Sequence, residues 1–328
     1  MPPQRSPTSW TQTTILAPIL AFLLSSPAFA HGGERHLDAG TVLGWWTWDP
    51  FVLLLLTASG WLYAAGAARL WERAGVGSGI RRWEAACFAA GWLALFAALV
   101  SPLDALGGIL FSAHMAQHEV LILIAAPLLV LGRPLATFLW ALPMAGRERA
   151  GKWAQAPPVA RIWRFLTAPL SVWVIHGLAL WAWHVPGLYQ ATLDDDFLHA
   201  LQHLSFFGSA ALFWWSLIHG RFGRLGYGAA VLYVFTTSMH SGVLGALLTF
   251  APRLWYPIYE ARTSQWGLSA LEDQQLAGLI MWVPAGIVFI VLGLALFAAW
   301  LGEAERRVAH TRSEMMLRAV EGGRGNGV

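Results

Sequence analysis

Long apolar runs recurring along the whole chain decide what it can fold into. Seven of them, roughly 49–69, 83–101, 111–131, 169–185, 199–219, 228–249 and 276–300, approach the ~20 residues that a helix needs to cross a bilayer. Inside a bilayer no water pairs with the backbone, so each run must close its hydrogen bonds within itself as an α-helix. The expected fold is therefore all-α: a polytopic membrane helix bundle with seven transmembrane helices. Composition agrees, because only 12% of residues are charged, against about a quarter in a soluble domain. The 20 tryptophans fit as well, since indole rings favour the membrane–water interface.

Residues 1–30 read as a cleavable signal peptide. Arg5 is the basic start, Ile15 to Leu24 the short apolar core, and Ala28-Phe29-Ala30 the small-residue cleavage site. Residues 31–48 then form an exported N-terminal segment, 49–301 the transmembrane domain, and 302–328 a cytoplasmic tail. Cleavage after Ala30 places His31 at the new terminus, where amine and ring could chelate a metal together; a plain polar linker is the simpler reading.

The basic residues set the orientation. With the N-terminus outside, the inner loops hold Arg69, Arg73, Arg81 and Arg82, then Arg133 through Arg164, then Arg221 and Arg224, and the tail holds Arg306 through Arg324. The outer segments hold only Arg35, Arg253 and Arg262. Every loop then obeys the positive-inside rule. The outer loops carry Asp104 and the run Asp194–Asp196, which reads as a wet acidic surface.

That topology gathers histidines at one depth. His114 and His118 fall near the outer end of the third run, and His184 closes the fourth. His199 and His203 open the fifth, His240 lies in the outer half of the sixth, and Asp273 begins the seventh. Ionisable groups within a membrane are costly and by default functional. His114/His118 and His199/His203 are each spaced i, i+4, which puts two imidazoles on one helical face. Any one of these rings could instead hydrogen-bond to a neighbouring helix; six at one depth favour a metal. Met115 and Met281 adjoin the same region and would suit Cu(I) as thioethers, although methionine is also ordinary core filler. His176, deeper in the fourth run, is expected to make a buried hydrogen bond to another helix. Glu119 follows His118 and could orient an imidazole or carry a proton. The single cysteine, Cys87, excludes an internal disulfide and any paired-thiolate copper motif. No nucleotide-binding or nucleic-acid motif is present.

His114-Met115-Ala116-Gln117-His118, Ala126-Pro127-Leu128, Gly132-Arg133-Pro134, Trp183-His184-Val185-Pro186 with Tyr189, Phe213-Trp214-Trp215, Tyr256, Tyr259 and Asp273-Gln274-Gln275 through Met281-Trp282-Val283-Pro284 occur in that order. Over roughly 45–300 the chain resembles the CtaG family of cytochrome c oxidase assembly factors, the seven-span kind associated with caa-type oxidases. The resemblance implies a non-enzymatic protein of the bacterial inner (plasma) membrane that helps copper reach cytochrome c oxidase subunits. Glu119 departs from it, as an apolar residue is expected there. The metal ligands expected are His114, His118, His184, His199, His203, His240, Asp273, Met115 and Met281, with copper as the ion and the lipid bilayer as surroundings. The residues also leave open a non-covalent haem-binding redox protein, because histidines on facing helices ligate haem, and a copper transporter. No row of ligands reaches the inner half, which speaks against transport.

Overall fold

The computed structural model describes residues 39–220 and 222–325. The signal peptide, His31 and His36 lie outside the described residues. Among those described, the regular structure is helical throughout.

Helix α1 (Pro50–Ala74) starts where Asp49 accepts a hydrogen bond from the Val52 amide at 2.8 Å and Pro50 occupies the first turn, a favoured helix start. A turn with positive φ at Gly75, Gly77 and Gly79 leads to α2 (Arg82–Val100). A short α3 (Pro102–Gly107) precedes α4 (Phe111–Leu131). The segment expected as an inner loop is mostly helical: α5 (Pro134–Ala141), α6 (Met144–Gln155) and α7 (Pro157–Leu166). There follow α8 (Pro169–Trp183), α9 (Pro186–Asp194), α10 (Asp196–Ile218), α11 (Phe222–Thr249) and α12 (Ala270–Gly325).

Among the described residues, five helices are long and apolar enough to cross a membrane: α1, α2, α4, residues Gly226–Thr249 of α11, and Ala270–Val308 of α12. The fourth run is a broken element. Helix α8 has 15 residues, about 22 Å at 1.5 Å per residue, short of the ~30 Å hydrocarbon layer. It reaches span length only together with α7, from which it bends by 63°. Helix α10 has 23 residues but is not among the five, since His199, Gln202, His203, Ser205 and Ser209 lower its mean hydropathy. The expectation of seven spans thus meets five qualifying helices, or six with the bent pair. The expected tail is not a separate element either: α12 runs unbroken from the last span through Gly325.

Small residues let the helices approach. A Cβ on Gly278 of α12 would lie 2.5 Å from the Thr249 amide nitrogen and 2.6 Å from the Gly245 carbonyl oxygen of α11. Close backbone contact of this kind is how membrane helices gain packing. Gly278→Val is expected to cost about 1–3 kcal/mol or more, read as a lower melting temperature of the detergent-solubilised protein. Gly286→Val, at a position with nothing within 4 Å, should leave it unchanged; equal melting of the two variants would sink this account.

Helix α4 is widened by a π-helical stretch, Val120–Ala125. Pro127 has no amide to return to the carbonyl four residues earlier and its ring crowds that carbonyl, so a wide turn just before it is the relaxed solution. Trp214 of α10 donates its indole N–H to the Ile122 carbonyl at 2.9 Å. The irregular turn is therefore paired across the bundle, and it sits directly after His118.

A buried histidine cluster at one end of the bundle

The starts of α4, α10 and α12 and the end of α8 meet at one end of the molecule. The buried carboxylate of Asp273, in the first turn of α12, accepts hydrogen bonds from the Phe111 amide (2.6 Å), the Ser112 amide (3.2 Å) and the Ser112 hydroxyl. It thereby caps the N-terminus of α4, where acceptors and negative charge are both favourable. One turn further on, His114 enters the core. At the start of α10, exposed Asp195 accepts from the Leu198 amide at 3.0 Å. That cap begins the helix that carries His199 and His203.

His114, His199 and His203 each offer one ring nitrogen, and these three atoms all lie within 4.8 Å of one another. A point between them is no more than about 2.8 Å from each, so small ring movements reach the ~2.0–2.1 Å of a metal–imidazole bond. His118 joins them: its ring centroid is 4.4 Å from that of His114 and 5.3 Å from that of His203. Both His118 nitrogens are buried without a hydrogen-bond partner. His184 stands next to this group across Phe206, which touches both His118 and His184 rings. Its Nδ1–H donates to the Leu180 carbonyl at 2.6 Å. A carbonyl only accepts, so the neutral ring carries its lone pair on Nε2, and that atom is buried and unpartnered. Buried polar atoms are normally satisfied, and each neutral ring of this group has one lone pair with which it could ligate a cation.

Gln202, which the sequence reading passed over, is fully buried between the two histidines of α10. Its Oε1 lies 3.2 Å from His114 Nε2 and holds that ring in place. The signal available was its position within His199-Ala200-Leu201-Gln202-His203, a polar residue on the same inward stripe as Phe206, Ser209 and Phe213.

An aromatic layer covers the cluster toward that end of the bundle. Phe111 packs against Tyr189, Tyr256 and Tyr259, and Tyr189 lies 5.2 Å from the His114 ring. The layer is pinned by polar ends: Tyr189 and Tyr259 hydroxyls pair at 2.8 Å, Tyr259 donates to the Gly107 carbonyl, and Tyr256 donates to the His184 carbonyl. Burial pushes the Tyr256 and Tyr259 phenols well above their usual range, so they stay neutral donors.

Other expected ligands sit differently. Asp273 is occupied as the α4 cap. Met115 and Met281 are buried in the apolar core. His240 packs edge-on against Trp173 and beside Gly177, whose added Cβ would lie 3.7 Å from its ring. Gly177 is seven residues before His184, about 10 Å deeper along α8. His176 bonds Ser209 of α10 through Nδ1 at 3.0 Å, the inter-helix bond expected of it. Glu119 is half-buried, with its Oε2 atom buried and unpartnered.

A bundle of membrane-length helices with an imidazole cluster buried at one end is the frame of a polytopic membrane protein with a polar internal site. Residues 61–303 match the family of cytochrome c oxidase caa3 assembly factors, and the chain belongs to that family. It is 30% identical over 257 residues to an uncharacterized protein of Mycobacterium bovis, covering 75% of this chain and 38% of the relative. It is 27% identical over 271 residues to one of Mycobacterium leprae, covering 80% and 40%. The chain thus spans about two fifths of the length of the curated relatives it matches. No solved structure matches it.

Proposed function

We propose that this assembly factor holds Cu(I) at the His114–His199–His203 cluster, with His118 and His184 alongside, and releases it to a nascent oxidase subunit. The convergence of three imidazole nitrogens within 4.8 Å, in a site without thiolates, carries the reading. Imidazole suits copper, and copper serves the oxidase whose assembly defines the family. In this reading α10 is a further span despite its polar face, the α7–α8 pair is another, and the chain crosses the membrane seven times. Its N-terminus is outside and its C-terminus inside. The cluster then faces the outer side, the signal peptide directs export, and the protein is not an enzyme.

Deleting the gene tests this. Oxidase activity and oxidase-bound copper should both fall and recover with added copper. Unchanged oxidase activity would remove the assembly role, while loss that copper never restores would remove copper delivery. A Soret band in the purified protein would replace copper with haem.

Two substitutions sort the ligands. Gln202→Leu should weaken Cu(I) binding by about 10–100-fold, the usual effect of losing a group that orients a ligand, with stoichiometry kept. His240→Ala should leave both unchanged, because its ring lies deeper against Trp173; competition titration with a Cu(I) chelator reads both. Loss of copper from His240→Ala would mean that the site extends down α8.

A further inference from the structure

At the opposite, basic end of the bundle, a cavity of about 300 Å³ opens between the end of α1 and the α5–α6 turn. Arg69, Arg73 and Arg147 line it with Glu72, Pro143 and Met144. Three guanidiniums therefore face one carboxylate, and no ion pair between them is formed among the described residues. The guanidiniums are held rather than waving. Arg147 lies flat on Trp140, 3.8 Å from the ring centroid, with Nη2 donating to the Leu142 carbonyl. Arg73 lies 5.9 Å over the same ring, and Arg69 Nη1 donates to the Ala141 carbonyl. The Nε of Arg147 is buried and has no partner. Three fixed guanidiniums around one cavity call for an anionic partner, and planar guanidiniums match phosphate oxygens pairwise.

The position selects the source of the phosphate. Arg69 and Arg73 stand in the last two turns of α1, a helix otherwise apolar enough to cross a membrane. That is the level at which lipid phosphates lie. Exposed Leu135 and Leu139 of α5 and Met144 of α6 continue the rim, an apolar track on which acyl chains can lie while the headgroup enters. Free phosphate has no use for such a track. We propose that this cavity is a seat for the phosphate headgroup of an anionic phospholipid, formed by Arg69, Arg73 and Arg147. It is independent of the copper site, which lies at the other end of the bundle.

The test uses the full chain in nanodiscs of phosphatidylcholine with a minor share of phosphatidylglycerol. Lipids retained on release are counted by native mass spectrometry. Wild-type protein should keep one phosphatidylglycerol in preference to phosphatidylcholine. Arg73→Gln with Arg147→Gln should lower that retention by about thirty-fold, from roughly fivefold per basic side chain at a lipid surface. Arg73→Lys with Arg147→Lys keeps the charge but not the paired guanidinium donors, and its retention should fall between wild type and the glutamine pair. Lys152→Gln, an exposed residue of α6, should change little. The seat is refuted if Lys152→Gln lowers retention as much as the double glutamine variant, which would mean surface attraction alone. It is equally refuted if the lysine pair keeps the lipid as fully as wild type, which would mean charge alone, or if millimolar inorganic phosphate displaces the lipid.

Discussion

Protein carrying His114→Ala and His203→Ala together is expected to lose Cu(I) affinity by more than about a hundred-fold. That exceeds the ~10–100-fold that follows loss of an orienting group, because two donors of the cluster disappear, one from each helix. His199 then has neither its i, i+4 partner nor the His114 ring that faces it, and His118 and His184 alone are left beside it. Fold loss is separable from ligand loss: the cluster rings sit among aromatic neighbours, and His114→Phe with His203→Phe refills that volume while still removing both donors. Both pairs should fail to hold Cu(I) against a chelator while keeping their helical circular dichroism. Copper retained by either pair would place the ion elsewhere.

The second large effect is expected at Asp273. Asp273→Ala leaves the Phe111 and Ser112 amides buried without an acceptor, at about 1–3 kcal/mol per unsatisfied donor. The loss should reach about 3 kcal/mol or more, and it strikes the turn that sets His114. Asp273→Asn keeps an acceptor oxygen but loses the charge, about half the strength of each bond, so it should fall between. Thermal unfolding in detergent gives the order wild type, Asn, Ala. If the alanine variant melts with wild type and loses only copper, Asp273 is a ligand and the capping account is wrong.

The sequence made much of this legible, for identifiable reasons. Span-length apolar runs predicted where α1, α2, α4, α11 and α12 lie, because the bilayer leaves the backbone few alternatives. Loop charges put His114, His118, His184, His199 and His203 at one end, and the structure brings those five together. What depth alone could not supply was azimuth, the direction in which each residue faces around its helix axis. His240 differs in both respects: it lies about 10 Å deeper, beside Gly177, and faces Trp173. Asp273 shares the right end, yet its partners are about 160 residues away in sequence, so its capping role has no local signature. Helix α7 escaped because Pro157 and Pro158 read as loop residues, whereas proline also suits the first turn of a helix, and α7 begins with them.

The aromatic layer over the histidines bears on time as well as on place. On the copper reading proposed above, an ion entering past Phe111, Tyr189, Tyr256 and Tyr259 would have to wait for that layer to part. Motions of this sort take microseconds to milliseconds or longer. Loading should then run at a rate that stops rising with copper concentration once opening is the slow step. Emptying should depend on whatever pries the layer apart. A receiving protein that docks on α9 would set the moment of release as well as the destination, and free chelator of equal affinity would work more slowly than such a partner.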